Sequence, residues 1–435
     1  MTTDAPSPGW RAGTATTVIT PEESLWLAGF ASREAPADGV ETELHAKALA
    51  VSDASGETLV LVCVEVISIP PALRENLERR CADRFGLGPE SVAFTATHTH
   101  CGPLLQEFRG RIYDVDDDLI ERSLAYRDRL EDDLIELVGD ALADRRPATL
   151  AYCRARCGFA MNRRRPTPDG IVHGPNPDGP VDHDVPVLAV ESAGTLRAIV
   201  FGYACHATTR KVDSYCGDWP GYAMAAVEDR YPDATALFLT GCAGDQNPYP
   251  RRRPELPEQH GQSLANAVEA ALEAPRRELR GPLGLAHEEI PLAFEGYDRD
   301  DLESLRGSDD PYERRHATLL LERLDAAGEL PTTSPYPLRA VGFGDDLTLL
   351  ALAGEVVVDY AIRLEAELSG PVWIAGYTSG SFTYVPSRRM LAEGGYEGGG
   401  VTRFRRYPGR LESSVEDRVF DAARALAERV RGSGE

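Results

Sequence analysis

The sequence predicts a layered α/β domain in which helices flank a mostly parallel or mixed sheet. Apolar runs rich in β-branched residues alternate with amphipathic helical stretches along most of the 435 residues, and this alternation favours a substantially parallel sheet. The composition, 42% hydrophobic and 27% charged, supplies enough apolar material for a large core. Several predicted strands run directly into loops rich in Gly, His or Asp, where α/β proteins usually place their sites.

The predicted elements follow one another in a regular order. A buried strand over residues 58–69 precedes a helix over 71–85, and a second strand covers 91–97. A long helix is predicted over 117–145, because apolar residues recur there at helical spacing. Further strands are predicted at 195–204, 234–240 and 347–353, and further helices at 259–273, 356–368 and 414–430.

Two segments interrupt this alternation. Residues 162–184 are rich in Pro, Gly and Asp and are interpreted as a long functional loop. Residues 299–329 are charged and helical in character, which predicts a helical insertion. Because the chain has no internal repeat and no sharp change in composition, we expect a single domain over residues 1–435.

Charge and targeting signals exclude some classes of partner. The net charge of −24 would repel nucleic acids and anionic membranes alike. The longest apolar run, residues 58–70, contains Glu65 and is too short to cross a bilayer, so we expect no stable membrane insertion. Residues 1–21 lack the pattern of a signal peptide, which predicts a cytoplasmic protein in which most of the eight cysteines are free thiols. The sequence carries no signal of an oligomeric state.

The most specific local feature is Thr-His-Thr-His-Cys-Gly-Pro at residues 97–103, directly after a predicted strand. Side chains two apart in extended backbone point to the same side, so His98 and His100 are expected to face one cavity. One imidazole could then bind a metal while the other transfers a proton. The alternative is two histidines of a polar loop, satisfied by backbone contacts.

Four other polar clusters follow later strands. They are His206 with Asp218, the glycine-rich residues 241–248, Gly354-Glu355, and Tyr384 with Tyr396. The 241–248 segment resembles a phosphate cradle but lacks the Lys and Ser/Thr of a P-loop, which argues against nucleotide binding. A lone histidine at the end of a strand is more often structural than a ligand, so each cluster is a weak signal alone.

Together these clusters resemble the neutral/alkaline (non-lysosomal) ceramidase family over residues 29–400. Residues 97–103 are similar to its Thr-His-Thr-His-Ser-Gly-Pro signature, with Cys101 in place of the serine. The other matching segments, in family order, are Gly29-Phe30-Ala31, the strand at 43–51, Asn162-Arg163, Val181-Asp182, His206 with Asp218 and Gly221, and the stretch from Tyr384 to Glu397.

The resemblance implies a Zn²⁺ ion held by His98, His206, Glu355 and Tyr384. Two imidazoles and a carboxylate leave an open position on zinc, with tyrosine as a weak extra ligand. Such a metal lowers the pKa of its water toward roughly 7 and polarises a substrate carbonyl.

The resemblance also implies roles around the metal. His100 would pass a proton to the leaving amine. Arg163 and Tyr396 would hold the developing oxyanion or a polar substrate group, and Tyr384 would act beside them. Residues expected to contact the substrate are Gly29, Asp218 and Asn247. Histidines expected to be surface or structural are His45, His173, His183, His260, His287 and His316.

Two departures from the family pattern limit the substrate and the mechanism. Asn247 occupies the place of the family's serine in Gly-Asp-x-Ser-Pro, and an amide side chain cannot act as a nucleophile. The sequence also lacks the family's immunoglobulin-like C-terminal domain, so we expect a substrate other than ceramide.

The resulting hypothesis is a zinc-dependent hydrolase that cleaves an N-acyl amide bond of a small-molecule or lipid-like substrate by metal-activated water. A metal-dependent esterase or lactonase is the alternative within enzymes, because the same steps cleave esters. A catalytically degenerate binding protein of the same fold is the alternative outside them. A cysteine nucleophile at Cys101 or Cys242 is a weaker interpretation.

Overall fold

The computed structural model describes residues 9–380 and 382–431, which form a mixed α/β structure. The layered α/β class predicted from the sequence is confirmed. The strands of these residues are β1 (Trp10–Val18), β2 (Gly39–Val40), β3 (His45–Ser52), β4 (Thr58–Val64), β5 (Val92–Ala96), β6 (Arg146–Arg156), β7 (Ala160–Thr167), β8 (Gly170–Asn176), β9 (Asp184–Ser192), β10 (Thr195–Tyr203), β11 (Ser214–Tyr215), β12 (Thr235–Thr240), β13 (Gln246–Pro248), β14 (Arg277–Leu279), β15 (Leu283–Ala293), β16 (Thr333–Phe343), β17 (Leu347–Leu352), β18 (Glu355–Val356), β19 (Val372–Ala375) and β20 (Tyr384–Val385).

The helices lie between these strands and after the last of them. They are α1 (Pro71–Phe85), α2 (Glu107–Tyr113), α3 (Asp117–Ala143), α4 (Asp218–Arg230), α5 (Leu256–Glu273), α6 (Arg299–Arg306), α7 (Pro311–Ala327), α8 (Val358–Glu367), α9 (Arg388–Glu393) and α10 (Val415–Arg431). A 3₁₀ helix covers Gly400–Phe404.

The largest sheet has the strand order β12-β10-β9-β6-β1-β3-β4-β5, with β14 paired to β6. Of the two predicted alternatives, the sheet is the mixed one. Its parallel pairs are β10 with β12 and β4 with β5, and its other neighbouring strands are antiparallel. Short connections explain this, because the five residues between β3 and β4 cannot make the crossover that parallel strands require.

A second sheet, in the order β15-β16-β17-β19, carries the other half of the candidate site. Its β17 and β19 are parallel. The polar clusters predicted from the sequence follow the carboxyl ends of β5, β10 and β12 in the large sheet and of β17 in this one. The two sheets therefore deliver them to a common region.

Packing in the hydrophobic core holds the loop that carries His206, after β10. Trp219 is fully buried, and its ring packs edge-on against Phe238 of β12 at 5.1 Å. Its indole N–H donates a hydrogen bond of 2.9 Å to the backbone carbonyl of His206. Packing of this aromatic cluster thus holds the loop after β10 in place.

The predicted functional loop at 162–184 is in part a β-hairpin, which corrects the sequence interpretation. Strands β7 and β8 pair antiparallel, and β13 adds to the other side of β7. The sequence does contain a signal for this hairpin, because Pro168-Asp169-Gly170 is a turn motif between the two segments that form β7 and β8.

The charged stretch at 299–329 contains α6 and α7, which begin at the side-chain caps Asp298 and Asp310. Its status as an insertion in a single domain remains a prediction. All eight cysteines are buried and free, whereas the sequence predicted this for most of them. No helix among the described residues has the length and apolar character needed to cross a membrane.

Candidate metal centre and active site

All five polar clusters predicted from the sequence contribute side chains to one cavity of about 390 Å³. The short parallel pair of β18 and β20 brings Glu355 directly opposite Tyr384. The sequence-predicted residues that line the cavity are Gly29, His98, His100, Arg163, His206, Asn247, Glu355, Tyr384 and Tyr396. The structure thus collects nearly all of the predicted site residues around one space.

Backbone hydrogen bonds fix the tautomers of two histidines. Nδ1 of His98 donates to the carbonyl of Ile67 at 2.7 Å, and Nδ1 of His206 donates to the carbonyl of Ala243 at 2.7 Å. Because a neutral imidazole carries one N–H, the Nε2 atom of each ring is left with its lone pair. This is the arrangement typical of metal-binding histidines.

The lone pairs converge on a carboxylate. Oε2 of Glu355 lies 3.3 Å from Nε2 of His98 and 3.2 Å from Nε2 of His206. Acceptors this close together attract one another only around a shared cation, which is either a proton on one imidazole or a metal ion. The Tyr384 hydroxyl, also 3.2 Å from Nε2 of His206, adds a further oxygen. This donor set of nitrogen and oxygen atoms fits a Zn²⁺ ion.

The ionisation states agree with that fit. Burial, together with the nearby Arg163 charge, lowers the pKa of His206 to about 3. Burial opposes ionisation of Glu355, but the neighbouring histidines and Arg405 outweigh it and hold its pKa well below the usual range. At neutral pH the centre therefore presents a neutral His206 imidazole beside an ionised carboxylate.

His98 and His100 face the same cavity, but not for the reason expected from the sequence. The expectation assumed extended backbone, whereas His98 adopts a left-handed conformation with φ 63°. A turn after β5, rather than strand alternation, directs both rings inward. Such conformations are rare for residues other than glycine and concentrate at functional sites.

His100 packs between the centre and Gly29. Its Nε2 lies 3.2 Å from Nε2 of His98, and its buried Nδ1 has no hydrogen-bond partner among the described residues. Burial and the neighbouring His98 and His206 lower the pKa of His100 well below its usual range. His98, His100 and His206 together could also hold a metal, so the geometry admits His100 either as a ligand or as a proton carrier.

Arg163 joins several predicted residues into one buried network. Its guanidinium donates to the Tyr384 hydroxyl at 2.8 Å, to Oε1 of Glu397 at 2.8 Å and to Oδ1 of Asn247 at 3.3 Å. Oε2 of Glu397 accepts a second bond of 2.8 Å from Arg164. Four groups that are far apart in sequence thereby fix one another's positions.

Asn247 is held from three directions. Its Oδ1 also accepts a bond of 3.2 Å from the Thr208 hydroxyl, and its Nδ2 lies 3.0 Å from Nε2 of His173. Because the Arg163 guanidinium can only donate, the amide must present its oxygen to Arg163 and its nitrogen to His173. His173, expected to be surface or structural, lines the cavity instead. The β7–β8 hairpin carries it there. A local turn motif indicates the hairpin, but no local pattern indicates that the hairpin reaches the cavity.

Asp218, expected to contact the substrate, is not among the side chains that line the cavity. It is fully buried at the start of α4, where its carboxylate accepts bonds from the backbone N–H groups of Arg210 and Trp219. These bonds tie the loop after His206 to the helix. Burial raises the pKa of Asp218 to about 6.

Sequence reasoning missed most of the positive charge around the cavity. Five arginines that it did not select also line the space, namely Arg109, Arg251, Arg252, Arg403 and Arg405. Nη2 of Arg405 lies 2.5 Å from Oε1 of Glu355 and so orients the predicted metal ligand. The arginine-rich stretches at 251–253 and 403–406 were the available signal.

Comparison with known proteins identifies the fold. No protein-family profile matches the chain, and no curated protein matches its sequence. Among solved structures, neutral ceramidase from Pseudomonas aeruginosa is similar, with a TM-score of 0.73 and 21% identity over 98% of this chain and 75% of that chain. A ceramidase complexed with C2 is similar at a TM-score of 0.73 and 19% identity, over 98% of this chain and 76% of that chain. The chain therefore has a neutral ceramidase-like fold, as its sequence segments predicted.

The histidine centre leads to a prediction about metal content. We expect about one tightly bound zinc per chain in the wild type, and strongly reduced zinc in His98→Ala and His206→Ala, because each change removes a neutral nitrogen ligand. Elemental analysis of the purified proteins measures this. His287→Ala, which changes a histidine outside the cavity, is the control and should keep its metal. Wild-type protein without stoichiometric transition metal would contradict the prediction.

The packing of His100 leads to a second prediction. A Cβ atom at Gly29 would lie 2.5 Å from the His100 ring, and Gly29 has φ 103°, so Gly29→Ala must displace the ring or the loop. We expect this variant to lose about 1–3 kcal/mol of stability in urea unfolding. Gly158→Ala is the control, because a Cβ there meets nothing within 4 Å. Equal stability of the two variants would show that the Gly29 contact is not a constraint.

Proposed function

We propose that this protein is a zinc-dependent hydrolase that cleaves an N-acyl amide bond with a water nucleophile. The observation that carries the proposal is the convergence of Nε2 of His98, Nε2 of His206 and Oε2 of Glu355 within 3.2–3.3 Å contacts at the wall of a cavity. The fold shared with neutral ceramidases supports the amide class of reaction. The cavity wall offers few long apolar side chains, so we favour a small polar amide over ceramide.

The metal would be held by His98, His206 and Glu355, with the Tyr384 hydroxyl as a further ligand. When bound, zinc supplies a Lewis acid for the amide carbonyl and acidifies the attacking water. Arg405 occupies the other carboxylate oxygen of Glu355, which keeps that side chain from rotating away from the histidines.

Two tyrosine hydroxyls are suited to stabilise negative charge on the carbonyl oxygen. Burial raises the pKa of Tyr384 well above its usual range and that of Tyr396 to about 12, so both remain protonated donors at neutral pH. Arg163 donates to the Tyr384 oxygen and thereby makes its O–H a stronger donor. Donors held in a buried site need no reorganisation when charge develops.

His100 is suited to move a proton to the leaving nitrogen. An amine is a poor leaving group until it is protonated, and a positioned base that takes a proton from water can return it to the amine. The Nδ1 atom of His100 has no partner among the described residues, and its ring lines the cavity. A free ring nitrogen beside the predicted metal ligands suits that transfer.

The side chains favour water over a protein nucleophile. Asn247 has no ionisable group, and its amide already bonds Arg163, Thr208 and His173. Burial raises the pKa of Cys101 to about 11 and that of Cys242 well above its usual value, so both thiols stay protonated. Neither cysteine is among the residues lining the cavity. Neither Asn247 nor these two thiols is therefore suited to form an acyl-enzyme.

The direct test is metal-dependent turnover of simple amides. The protein is stripped with a chelator and then given one equivalent of Zn²⁺, and release of amine is measured on a panel of short N-acyl amides with matched esters. We expect amide hydrolysis that zinc restores. Ester hydrolysis without amide hydrolysis would favour an esterase, and no turnover of any substrate by the zinc-loaded protein would contradict the proposal.

The role of His100 gives a further prediction. His100→Ala should keep its zinc but lose about 10²–10⁴-fold in rate, because only proton transfer is removed. Metal analysis and turnover are measured on the same preparation, with His287→Ala as control. Loss of zinc in His100→Ala would instead make His100 a ligand.

The role of Asn247 gives another testable prediction. Asn247→Ser should fold and retain measurable turnover, reduced because the bonds to Arg163 and His173 are weakened, and no acyl-enzyme should accumulate in the wild type. Intact-protein mass spectrometry during turnover checks this. A stable mass increase equal to the acyl group, mapped to any side chain, would overturn the water mechanism.

A further inference from the structure

The charges lining the cavity are strongly unbalanced. Six arginines face one carboxylate, Glu355, in a protein whose net charge is −24. The arginines are Arg109, Arg163, Arg251, Arg252, Arg403 and Arg405. A cavity so much more positive than the rest of the molecule attracts anions and disfavours cationic ligands.

Three of these arginines have carboxylate partners. Arg163 pairs with Glu397 at 2.8 Å, Arg403 with Asp310 at 3.0 Å and Arg405 with Glu355 at 2.5 Å. For the other three, no carboxylate lies within 4.0 Å in the part of the chain that the structure describes. Arg251 is half-buried and Arg252 exposed, so water can solvate at least part of each guanidinium.

Arg109 is different because it is both buried and without a counter-ion. It lies on α2 with 5% of its surface exposed, and its Nε has no hydrogen-bond partner within the described residues. Burial lowers the pKa of Arg109, and the neighbouring Arg405 charge acts in the same direction. A buried charge without a partner is strongly unfavourable, so such a group is expected to meet an anion that the chain does not supply.

The surroundings of Arg109 indicate where that anion sits. Arg109 lines the main cavity and also a smaller pocket formed with His98 and Glu355, two of the predicted metal ligands. The hydroxyl-bearing side chains of Tyr113 and Tyr396 line the same cavity. An anion bound here therefore lies close to the reacting amide, within the length of a small molecule.

We propose that the substrate is an amide that also carries a carboxylate, and that Arg109 binds this carboxylate. The proposal rests on the hydrolase function proposed above and specifies its substrate class. A planar guanidinium donates two parallel hydrogen bonds to a carboxylate. This pairing selects a negatively charged substrate and also fixes the orientation of that substrate. Arg251 and Arg252 add to the positive field through which the anion enters.

The test compares matched substrates that differ in the carboxylate. N-butyrylglycine is paired with the uncharged N-butyrylglycinamide, and N-ethylsuccinamate with the uncharged N-ethylbutyramide, so that the charge lies on the amine side or on the acyl side. N-butyryl phosphoethanolamine tests a phosphate in place of the carboxylate. We expect the zinc-loaded wild type to prefer one carboxylate substrate over its uncharged partner by at least about 100-fold in kcat/KM.

The variants separate recognition from catalysis. Arg109→Gln should lower kcat/KM by about 100-fold or more on the preferred carboxylate substrate and by less than about threefold on its uncharged partner. The kcat/KM of Arg109→Lys on the carboxylate substrate should lie between those of the wild type and Arg109→Gln, because lysine keeps the positive charge but cannot donate two parallel hydrogen bonds. Arg111→Gln is the matched control, since Arg111 lies on the same helix, exposed and paired with Glu322, and it should match the wild type on both substrates.

A binding measurement supplies a readout independent of turnover. Calorimetric titration of the metal-stripped protein with N-butyrylglycine and N-ethylsuccinamate should show binding of at least one of them. Arg109→Gln should abolish this binding and Arg111→Gln should preserve it.

Several outcomes would overturn the proposal. If Arg109→Gln lowered kcat/KM equally on charged and uncharged substrates, Arg109 would be a stabiliser of the oxyanion instead. Preference for the phosphate or for uncharged amides would overturn it as well. No turnover of any amide would instead contradict the hydrolase function, while the titration still tests the anion site.

Discussion

Two hydrogen bonds from imidazole Nδ1 atoms to backbone carbonyls organise the candidate site. They hold His98 and His206 in the tautomer that turns an unprotonated Nε2 toward the Glu355 carboxylate. The carboxyl ends of strands in two different sheets bring these three groups together, so the whole α/β framework holds in contact three groups that attract one another only around a shared cation. Because the fold already holds these ligand atoms together, binding a metal would need little further rearrangement of the chain.

Around this centre lies a layer of buried ionic groups. Arg163 connects Tyr384, Asn247 and Glu397, and Arg405 holds the outer oxygen of Glu355. Buried networks of this kind are stable when each donor has an acceptor, and they then fix side chains more firmly than apolar packing does. Asn247 fits this layer, because its amide offers an oxygen to Arg163 and a nitrogen to His173 in one plane.

The distribution of charge separates the cavity from the rest of the molecule. The protein as a whole has a net charge of −24, whereas the cavity wall contains six arginines and a single carboxylate. A negative exterior keeps anionic macromolecules at a distance, and a positive interior selects small anions. Both features support the small anionic substrate proposed above.

The sequence by itself determined the order of the main elements and, through the resemblance to a family, the residues proposed for the metal centre. Helix α1 lies over residues 71–85 as predicted, because apolar periodicity and a flanking Pro and Gly are local signals. His98, His206, Glu355 and Tyr384 were identified because motifs in family order marked them, and the structure brings all four to one cavity. The sheet was predicted less well, since antiparallel pairing depends on connection lengths that alternation of elements does not report.

Only the tertiary structure decided the turn that directs His98, the hairpin that carries His173 inward and the structural contacts of Asp218. It also decided which arginines are buried without a counter-ion. In sequence Arg109 resembles Arg111, two residues away on the same helix, yet one lies inside the cavity and the other pairs with Glu322 at the surface. Local patterns specify secondary structure because they act within a few residues. Burial and ion pairing join residues hundreds of positions apart, so only the folded chain determines them.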